Sequence, residues 1–472
     1  MGLRIATAVS IIYNQARADA TRTAIDSFRF AGMVMPMHFN PRRQIRFGPL
    51  PSMVSLAACI LCGTCATLTW AEDWPQWRGP NRNGAWTESG ILETLPAEGL
   101  KVRWRMPVGL GWSSPVVSQG RVFVTDVQLE TRPAQERVHC FDEATGKSLW
   151  TYAYEAEYPD LMPENRSTPA ATPIVEAGKL YMIGGNGHVH CLDTATGKAV
   201  WEKKLDKEFE IKALSCRPSP LIEGDLLILL TGGKPGACVI ALEKSSGKEV
   251  WRALDESVSN SSPIVITAGG KRQLIVWTGE SVTSLVPTTG EVNWRERLLT
   301  TTNDSIATPV SEKNSLLVSG VMFELRADKA MASPVWPKSR AVARTVLSNT
   351  STPLLQGDHV YSAKSGGELV CLDARTGEQI WVTEKVTGLK SGASIHLTPN
   401  GNAVWLFTDE GNLIRARLTP KGYEELSRAH LLEPTSIFSG KLLAWVPPVY
   451  ANRHVFARND KELVCASLAA KP

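Results

Sequence analysis

One short phrase recurs along this chain of 472 residues and constrains its fold more than any other feature. Residues 139–150 read HCFDEATGKSLW, and residues 190–201, 51 positions later, read HCLDTATGKAVW. Weaker copies follow at separations of 50, 43, 42 and 45 residues, ending at Trp251, Trp294, Trp336 and Trp381. Self-similarity at such a period is typical of repeat architectures, in which each copy is one small structural unit.

A second marker keeps step with the first. It is a Ser/Thr-Pro pair followed by aliphatic residues, and its prolines are Pro115, Pro173, Pro220, Pro263, Pro309 and Pro353. Between the two markers lie short apolar runs separated by Gly, Asn and Thr clusters, which are typical of hairpin turns. Runs this short do not sustain the 3.6-residue periodicity of a helical repeat. Four antiparallel strands in about 40 to 50 residues indicate a β-propeller blade.

The units predict eight blades, of which the last is completed by the beginning of the repeat region. Residues 445–468 supply only three strands, and residues 102–107, which contain Trp104, supply the fourth. Such a closure leaves no unpaired sheet edge between the first and last blades. The other predicted blades are 113–150, 172–201, 219–251, 261–294, 307–336, 351–381 and 392–432. The expected fold is therefore an all-β, eight-bladed propeller of four-stranded antiparallel blades over residues 72–470.

The repeated motif D-x-x-T-G-x-x-x-W has a mechanical interpretation. Its Asp, Thr and Gly are expected to form the turn between the third and fourth strands, with Gly where a Cβ would clash. The Trp is expected to lie across the neighbouring blade, where a ring of this size buries about 200 Å². We therefore assign structural docking roles to Trp104, Trp150, Trp201, Trp251, Trp294, Trp336 and Trp381.

With this motif at this spacing, the chain resembles the pyrroloquinoline-quinone-type propeller repeats. These repeats are shared by quinoprotein alcohol dehydrogenases and by the outer-membrane assembly factor BamB, and the resemblance covers about residues 72–470. The segment EDWPQWRGPNRNG (72–84) also resembles the opening of secreted propellers of this type from planctomycete-like bacteria. The resemblance implies the fold, whereas function depends on the sites that the fold carries.

Residues 1–71 contain no repeat and predict an export signal at about 40–71. Arg42, Arg43 and Arg46 precede an apolar stretch near 53–68, and Thr69-Trp70-Ala71 resembles a cleavage signal. Translation is expected to start at Met35 or Met37, and an LAAC box ending at Cys59 leaves lipoprotein anchoring open. The mature chain is expected to be periplasmic or associated with the cell envelope, without a transmembrane span.

Cysteine usage and charge exclude several classes of function. Cys140, Cys191, Cys371 and Cys465 share one repeat position and are expected to be small buried apolar groups, too far apart to pair. Cys216 and Cys238 receive no role. The net charge is +4, with 51 basic and 47 acidic residues spread along the chain, so no nucleic-acid binding is predicted.

The loops that enter the inner strands are expected to converge at one end of the central channel and to form a funnel. Their larger side chains could bind a sugar-like or carboxylated ligand. Alternatively, the polar groups there satisfy buried loop backbone and hold water. The candidate residues are Trp112, Asn165, Arg166, Arg217, Asn260, Asn303, Asp304, Asn349 and Lys390.

The resemblance to quinoprotein dehydrogenases implies pyrroloquinoline quinone, a Ca²⁺ ion held by carboxylate and amide oxygens, an Asp base and a disulfide between adjacent cysteines. This sequence has no Cys-Cys pair and no C-x-x-C-H haem motif. Asn303 and Asp304 are the best candidates for Ca²⁺ ligands, but two oxygens fall short of the six to eight that Ca²⁺ takes. We therefore predict no catalytic residue, cofactor or metal.

The sequence thus predicts an exported, non-catalytic propeller that acts as a monomeric interaction or assembly scaffold. Its expected partners are envelope proteins. The alternative is a quinone-dependent or other small-molecule oxidoreductase that works in the funnel.

Overall fold

A computed structural model of the protein describes residues 72–130, 133–158, 168–299, 305–338, 346–389, 392–438 and 440–470. These residues form eight four-stranded antiparallel sheets, and in seven of them consecutive strands form a meander. The fold is an eight-bladed β-propeller, as the repeats predicted. A three-residue 3₁₀ helix, Leu205–Lys207, follows β9.

The first four blades follow each other along the chain, and each runs from an inner strand at the channel to an outer strand. Blade 1 contains β2 (Val116–Ser118), β3 (Arg121–Gln128), β4 (Ala134–Asp142) and β5 (Ser148–Ala156). Blade 2 contains β6 (Ile174–Glu176), β7 (Lys179–Ile183), β8 (His188–Asp193) and β9 (Ala199–Lys204). Blade 3 contains β10 (Leu221–Glu223), β11 (Leu226–Gly233), β12 (Ala237–Glu243) and β13 (Glu249–Ala253). Blade 4 contains β14 (Ile264–Ala268), β15 (Lys271–Trp277), β16 (Ser281–Leu285) and β17 (Val292–Arg297).

The last four blades include the one that closes the ring. Blade 5 contains β18 (Val310–Glu312), β19 (Ser315–Val318), β20 (Val321–Leu325) and β21 (Ala332–Trp336). Blade 6 contains β22 (Leu354–Gln356), β23 (His359–Ala363), β24 (Leu369–Asp373) and β25 (Gln379–Thr383). Blade 7 contains β26 (Ile395–Asn400), β27 (Ala403–Thr408), β28 (Asn412–Thr419) and β29 (Gly422–His430), and a separate hairpin follows it, β30 (Ser436–Phe438) and β31 (Lys441–Leu443). Blade 8 contains β32 (Val449–Ala451), β33 (His454–Arg458), β34 (Glu462–Ser467) and, from the other end of the chain, β1 (Lys101–Pro107).

The hydrophobic core lies between the blades. Middle strands such as β11 and β12 are buried on both faces, because each blade is covered by a neighbour on either side. Between blades 1 and 2, for example, Phe123 and Val138 pack with Leu180 and Leu192. In outer strands such as β9, by contrast, most side chains are exposed to solvent, and the others are half-buried. The described cysteines are buried and free, including Cys216 and Cys238.

The motif tryptophans join each blade to the next. The indole N–H of Trp150 donates to Thr194 O of the following blade at 3.0 Å, and the ring lies on the turn glycine Gly197, whose φ is 71°. A Cβ built on Gly197 would stand 2.6 Å from Trp150 Cδ2. Equivalent bonds to the next blade start at Trp104, Trp201, Trp251, Trp336 and Trp381.

Trp294 departs from this pattern because blade 5 has no matching turn glycine. Its indole N–H donates at 3.0 Å to Gln273 Oε1 within its own blade, while its ring still packs near Phe323 of blade 5. The degenerate motif of blade 5, which ends at Trp336, thus changes the hydrogen-bond partner of Trp294. The packing contact between blades 4 and 5 is kept.

The hydroxyl groups of the Ser/Thr-Pro markers link the inner ends of successive blades. The Ser114 N–H donates to Thr172 Oγ1, the Thr172 N–H to Ser219 Oγ, and the Ser219 N–H to Ser262 Oγ, each at 3.0 Å. Thr308 and Thr352 repeat this bond at 3.1 Å. A small hydroxyl side chain recurs at the marker because it satisfies a buried amide of the preceding blade.

The ring closes where β1 pairs with β34, with Trp104 opposite Cys465. The buried Arg458 guanidinium strengthens this closure. It donates to Thr125 O at 2.7 Å and to Gly109 O at 2.6 Å, both of which belong to the first blade and its approach. Over the stretches that the structure describes, no helix has the length and apolar character needed to cross a bilayer.

Candidate functional site

Residues 72–88, which we call the channel segment, cross the central channel and touch the inner edges of several blades. Trp74 exchanges two backbone hydrogen bonds of 2.9 Å with Val117 of blade 1, and Pro75 O accepts from the Val175 N–H of blade 2 at 2.8 Å. The Trp77 indole donates at 2.9 Å to Thr308 Oγ1 beside blade 5. The segment therefore divides the channel into a funnel on one side and a second recess on the other.

Two arginines of the channel segment lie near the channel axis. Arg82 donates to Pro220 O at 2.8 Å and to Pro263 O at 3.0 Å, which joins blades 3 and 4. Arg78 donates to Asn83 O at 2.7 Å and borders both recesses. A Cβ on Gly84 would stand 2.8 Å from the Arg78 guanidinium, so glycine makes room for this side chain.

Burial lowers the pKa of Arg78 to about 10 and, together with the charge of Arg78, lowers that of Arg82 to about 9. Both guanidinium groups therefore remain protonated at neutral pH. No carboxylate among the described residues forms an ion pair with either group. The two arginines of the channel segment thus place positive charge in the middle of the ring.

The funnel is a cavity of about 360 Å³ whose floor is the channel segment. Its volume falls within the usual range of small-molecule sites, about 300 to 1,000 Å³. Aromatic rings form much of its wall: Trp112 stacks on Trp445 at 5.1 Å between centroids with planes 6° apart, and Phe438 meets Trp445 edge-on at 4.6 Å. The β30–β31 hairpin supplies Phe438 and stands in contact with this wall.

The polar groups of the funnel are arginine, amide, imidazole and hydroxyl groups. Arg78, Arg217, Asn260 and His396 line it together with Ser and Thr side chains. His396 Nε2 lies 2.9 Å from Trp445 O, and burial lowers the pKa of His396 to about 4, so this ring is neutral at pH 7. No Asp or Glu occurs among the described lining residues. The chemistry of the funnel is therefore aromatic and cationic.

The structure brings three of the predicted funnel residues, Trp112, Arg217 and Asn260, to this cavity. Asn349 instead accepts a hydrogen bond from Ser319 Oγ through Oδ1 at 2.8 Å, and its carbonyl accepts from the amides of Ile306 and Ala307. It therefore joins the loop that enters blade 6 to blade 5 and to the loop that enters blade 5. The other candidates, Asn165, Arg166, Asn303, Asp304 and Lys390, lie outside the described residues.

Sequence reasoning missed the residues that form the floor and one wall, namely Trp74, Trp77, Arg78, His396, Phe438 and Trp445. The floor had a detectable signal, because residues 72–84 concentrate Trp, Arg, Gly and Pro more densely than a solvated linker requires. His396, Phe438 and Trp445 have no such signal. His396 and Trp445 lie in the two units whose repeat markers are weakest, and Phe438 lies in the hairpin between them.

The described funnel does not fit a quinone held by Ca²⁺. Ca²⁺ takes six to eight oxygen ligands, usually with carboxylates among them, whereas the described lining offers no carboxylate. In addition, no group of three or more His, Cys, Asp or Glu residues in the described stretches could hold a metal ion.

The chain matches the family described as outer membrane protein assembly factor BamB. The match covers two overlapping ranges, residues 88–160 and 134–383. The BamB protein of Shewanella oneidensis is 23% identical over 327 residues, which is 66% of this chain and 67% of that protein. The quinohemoprotein alcohol dehydrogenase of Comamonas testosteroni is 25% identical over 185 residues, 38% of this chain and 25% of that enzyme.

Solved structures show the same fold at low identity. BamB from Moraxella catarrhalis superposes with a TM-score of 0.54 and 16% identity, covering 79% of this chain and 99% of that one. The Comamonas testosteroni quinohemoprotein alcohol dehydrogenase superposes with a TM-score of 0.59 and 15% identity, covering 85% of this chain and 81% of that one. Likeness at this identity supports the fold alone.

Proposed function

Because this chain belongs to the outer membrane protein assembly factor BamB family, we propose that it is an exported, non-catalytic propeller that acts as an interaction or assembly scaffold in the cell envelope. The observation that carries this proposal is the extent of the family match. The match ends at residue 383, the last residue of β25, and so runs through blades 1 to 6. Envelope proteins are the proposed partners.

The outer strands support a scaffold role because they offer repeated surfaces to a partner. Each outer strand is the edge of its sheet, and an edge can accept a further strand through its free backbone groups. An aliphatic side chain precedes the docking tryptophan in several blades and faces solvent: Leu149, Val200, Val250 and Ile380 are 43–52% exposed. Strand alternation explains this, since the tryptophan at the next position turns toward the adjacent blade.

A gene deletion in the source bacterium tests the proposal. We expect the deletion to lower the amount of folded outer-membrane β-barrel protein, measured by heat-modifiable migration on gels, and the wild-type chain to restore it. Arg217→Gln should also restore it, because a scaffold works through its outer surface and not through the funnel. Unchanged levels of folded β-barrel proteins in the deletion strain would refute the assembly role.

The sequence match to a quinohemoprotein alcohol dehydrogenase makes an oxidoreductase the second candidate. Its test is dye reduction by the purified protein after incubation with pyrroloquinoline quinone and Ca²⁺, across alcohols and aldose sugars. We expect no saturable turnover. Turnover that saturates with substrate and is abolished by Asp304→Ala would replace the scaffold proposal with an enzymatic one.

A further inference from the structure

Glu72 and Glu88, the two end residues of the channel segment, meet beside the joint between blades 8 and 1. The backbone N–H of Glu72 donates to Glu88 Oε1 at 3.1 Å. The same oxygen accepts from the N–H of Asn452 at 2.6 Å, in the turn between β32 and β33 of blade 8. The Asn452 side chain in turn donates to Glu143 Oε1 of blade 1 at 2.8 Å. Glu88 therefore holds the ends of the segment together at the closing joint of the ring.

The Glu88 carboxylate is buried without an ion-pair partner among the described residues. The residue is 7% exposed, and its carboxylate bonds to the two backbone N–H groups of Glu72 and Asn452. Other carboxylates lie nearby: burial raises the pKa of Glu143, and the negative charges of Asp73 and Glu88 raise it further. A buried carboxylate costs free energy unless a positive charge accompanies it. The position beside Glu88 therefore favours a positively charged donor.

The sequence points independently to the backbone nitrogen of Glu72. Thr69-Trp70-Ala71 ends directly before this residue and resembles the signal at which an export peptidase cuts. Hydrolysis of the Ala71–Glu72 peptide bond by that peptidase adds one water molecule and leaves a carboxylate on Ala71. The amide nitrogen of Glu72 becomes a primary amine, which takes up a proton at neutral pH. The nitrogen that donates to Glu88 then carries the positive charge that this carboxylate lacks.

We propose that cleavage after Ala71 creates an ion pair between the α-ammonium group of Glu72 and the Glu88 carboxylate, which locks the channel segment at the closing joint. This inference rests on the export that the proposed function includes. The new amino terminus is thus a structural part of the propeller, and the chain reaches its full stability only after processing.

Mass spectrometry of the protein purified from the envelope fraction of the source bacterium gives the first test. We expect the mature chain to begin at Glu72. A chain that begins elsewhere, for example at a lipid-modified Cys59, has no free amino group at Glu72 and would overturn the ion pair while leaving the scaffold proposal standing. Uncleaved protein confined to the cytoplasm would contradict both proposals.

Two recombinant forms of the chain test the ion pair itself. One begins at Glu72, and the other begins at Ala71, which moves the amino group away by one residue, about 3.8 Å. Both contain all eight blades and the closing strand β1. At neutral pH, the form that begins at Glu72 should have an unfolding equilibrium constant about tenfold lower in urea, because a charge-assisted hydrogen bond replaces a neutral one.

One variant and one control assign this difference to Glu88. Glu88→Gln should raise the unfolding equilibrium constant about tenfold more in the form that begins at Glu72 than in the form that begins at Ala71. Glu143→Gln is the matched control, since Glu143 also bonds to Asn452 and makes no hydrogen bond to Glu72. Its effect should be the same in both forms. If Glu88→Gln fails to fold, the comparison of the two unsubstituted forms still decides.

The ion pair also predicts a dependence on pH. An α-amino group has a pKa of about 8 in an unfolded chain, and a partner carboxylate raises this pKa in the folded chain. The stabilisation is therefore complete below about pH 8 and is lost as pH rises through the folded-state pKa. His454 is neutral in this range because burial lowers its pKa. The other charged groups around Glu88 are carboxylates and guanidinium groups, which do not titrate there: Glu72, Asp73, Asp142, Glu143, Arg103 and Arg453.

The stability advantage of the form that begins at Glu72 should accordingly shrink between about pH 8 and about pH 10. Equal stability of the two forms at neutral pH, an equal effect of Glu88→Gln in both forms, or an advantage that persists unchanged at high pH would each refute the ion pair. None of these results bears on the scaffold proposal, because that proposal is judged by the level of folded outer-membrane proteins.

Discussion

At the scale of single residues, one contact repeated around the ring explains the motif from which the fold was predicted. In five of the blade junctions the indole ring of the docking tryptophan lies on a glycine of the next blade, as Trp150 does on Gly197; the other four rings are those of Trp104, Trp201, Trp251 and Trp336. Two requirements coincide at that glycine. Its φ of 71° is one that residues with a Cβ adopt rarely, and the space a Cβ would need is filled by the ring.

Gly197→Ala should therefore destabilise the protein more than a glycine substitution that meets only the first requirement. Gly224 provides the control, since its φ is 59° and nothing lies within 4 Å of a Cβ built there. We expect Gly224→Ala to lower the free energy of unfolding by about 1 kcal/mol through backbone strain. Gly197→Ala should lose about 1–3 kcal/mol more through overpacking. Urea denaturation measures both, and equal losses would contradict the proposed contact.

At the scale of elements, the channel segment does what no single blade can do. Each blade touches its two neighbours, whereas this segment reaches blades on opposite sides of the channel, including Val117 of blade 1, Pro263 of blade 4 and Pro399 of blade 7. Trp86, which is 1% exposed, secures its far end by stacking on Tyr450 of blade 8 at 5.3 Å. The segment thus acts as a cross-brace and also forms the funnel floor.

Substitution of Arg82 should destabilise the channel segment more than the blades. Arg82→Ala deletes the hydrogen bonds to blades 3 and 4, and we expect a loss of about 2 kcal/mol in the free energy of unfolding. Hydrogen exchange followed by mass spectrometry should show faster exchange in peptides from residues 74–86. Arg326→Ala is the control at an exposed arginine. Unchanged exchange in the channel segment of Arg82→Ala would show that Arg82 does not anchor it.

At the scale of the whole molecule, stability depends on the closure of the ring. Strand β1 pairs with β34 although more than 350 residues separate Arg105 from its partner Val464, and Arg458 adds two bonds across the same joint. In other blades the outer strand is joined to its own sheet by a short turn. Loss of β1 would therefore open the ring and expose the edge of β34.

A proline in the closing strand should cost more than the same change in an ordinary outer strand. Arg105 and Arg252 each follow a docking tryptophan, and their partners Val464 and Ile240 hold equivalent positions in the third strand. We expect Arg252→Pro to lose about 3 kcal/mol. Arg105→Pro should lose more and also form dimers or larger species through the exposed edge. Urea denaturation and light scattering measure these effects, and equal losses with a monomeric Arg105→Pro protein would rule out a special role for closure.

Part of the funnel could be predicted from the repeats. Trp112, Arg217 and Asn260 lie in the loops that enter inner strands, and a propeller brings such loops together whatever their detailed conformation. Asn349 occupies the same kind of loop, yet its side chain bonds to Ser319. The position of a loop residue follows from topology, whereas the direction of its side chain depends on the local hydrogen bonds that it makes.

The sequence by itself determined the number of blades, the order of strands and the closure, because each depends on a pattern that recurs with the period of the blade. Only the tertiary structure decided that residues 72–88 cross the channel, and that Arg78 thereby lines the same cavity as Arg217 and Trp112. The physical reason is that this segment occurs once and forms its bonds with residues far away along the chain. A periodic pattern predicts contacts between neighbouring blades. It does not predict the contacts of a single segment that touches many blades.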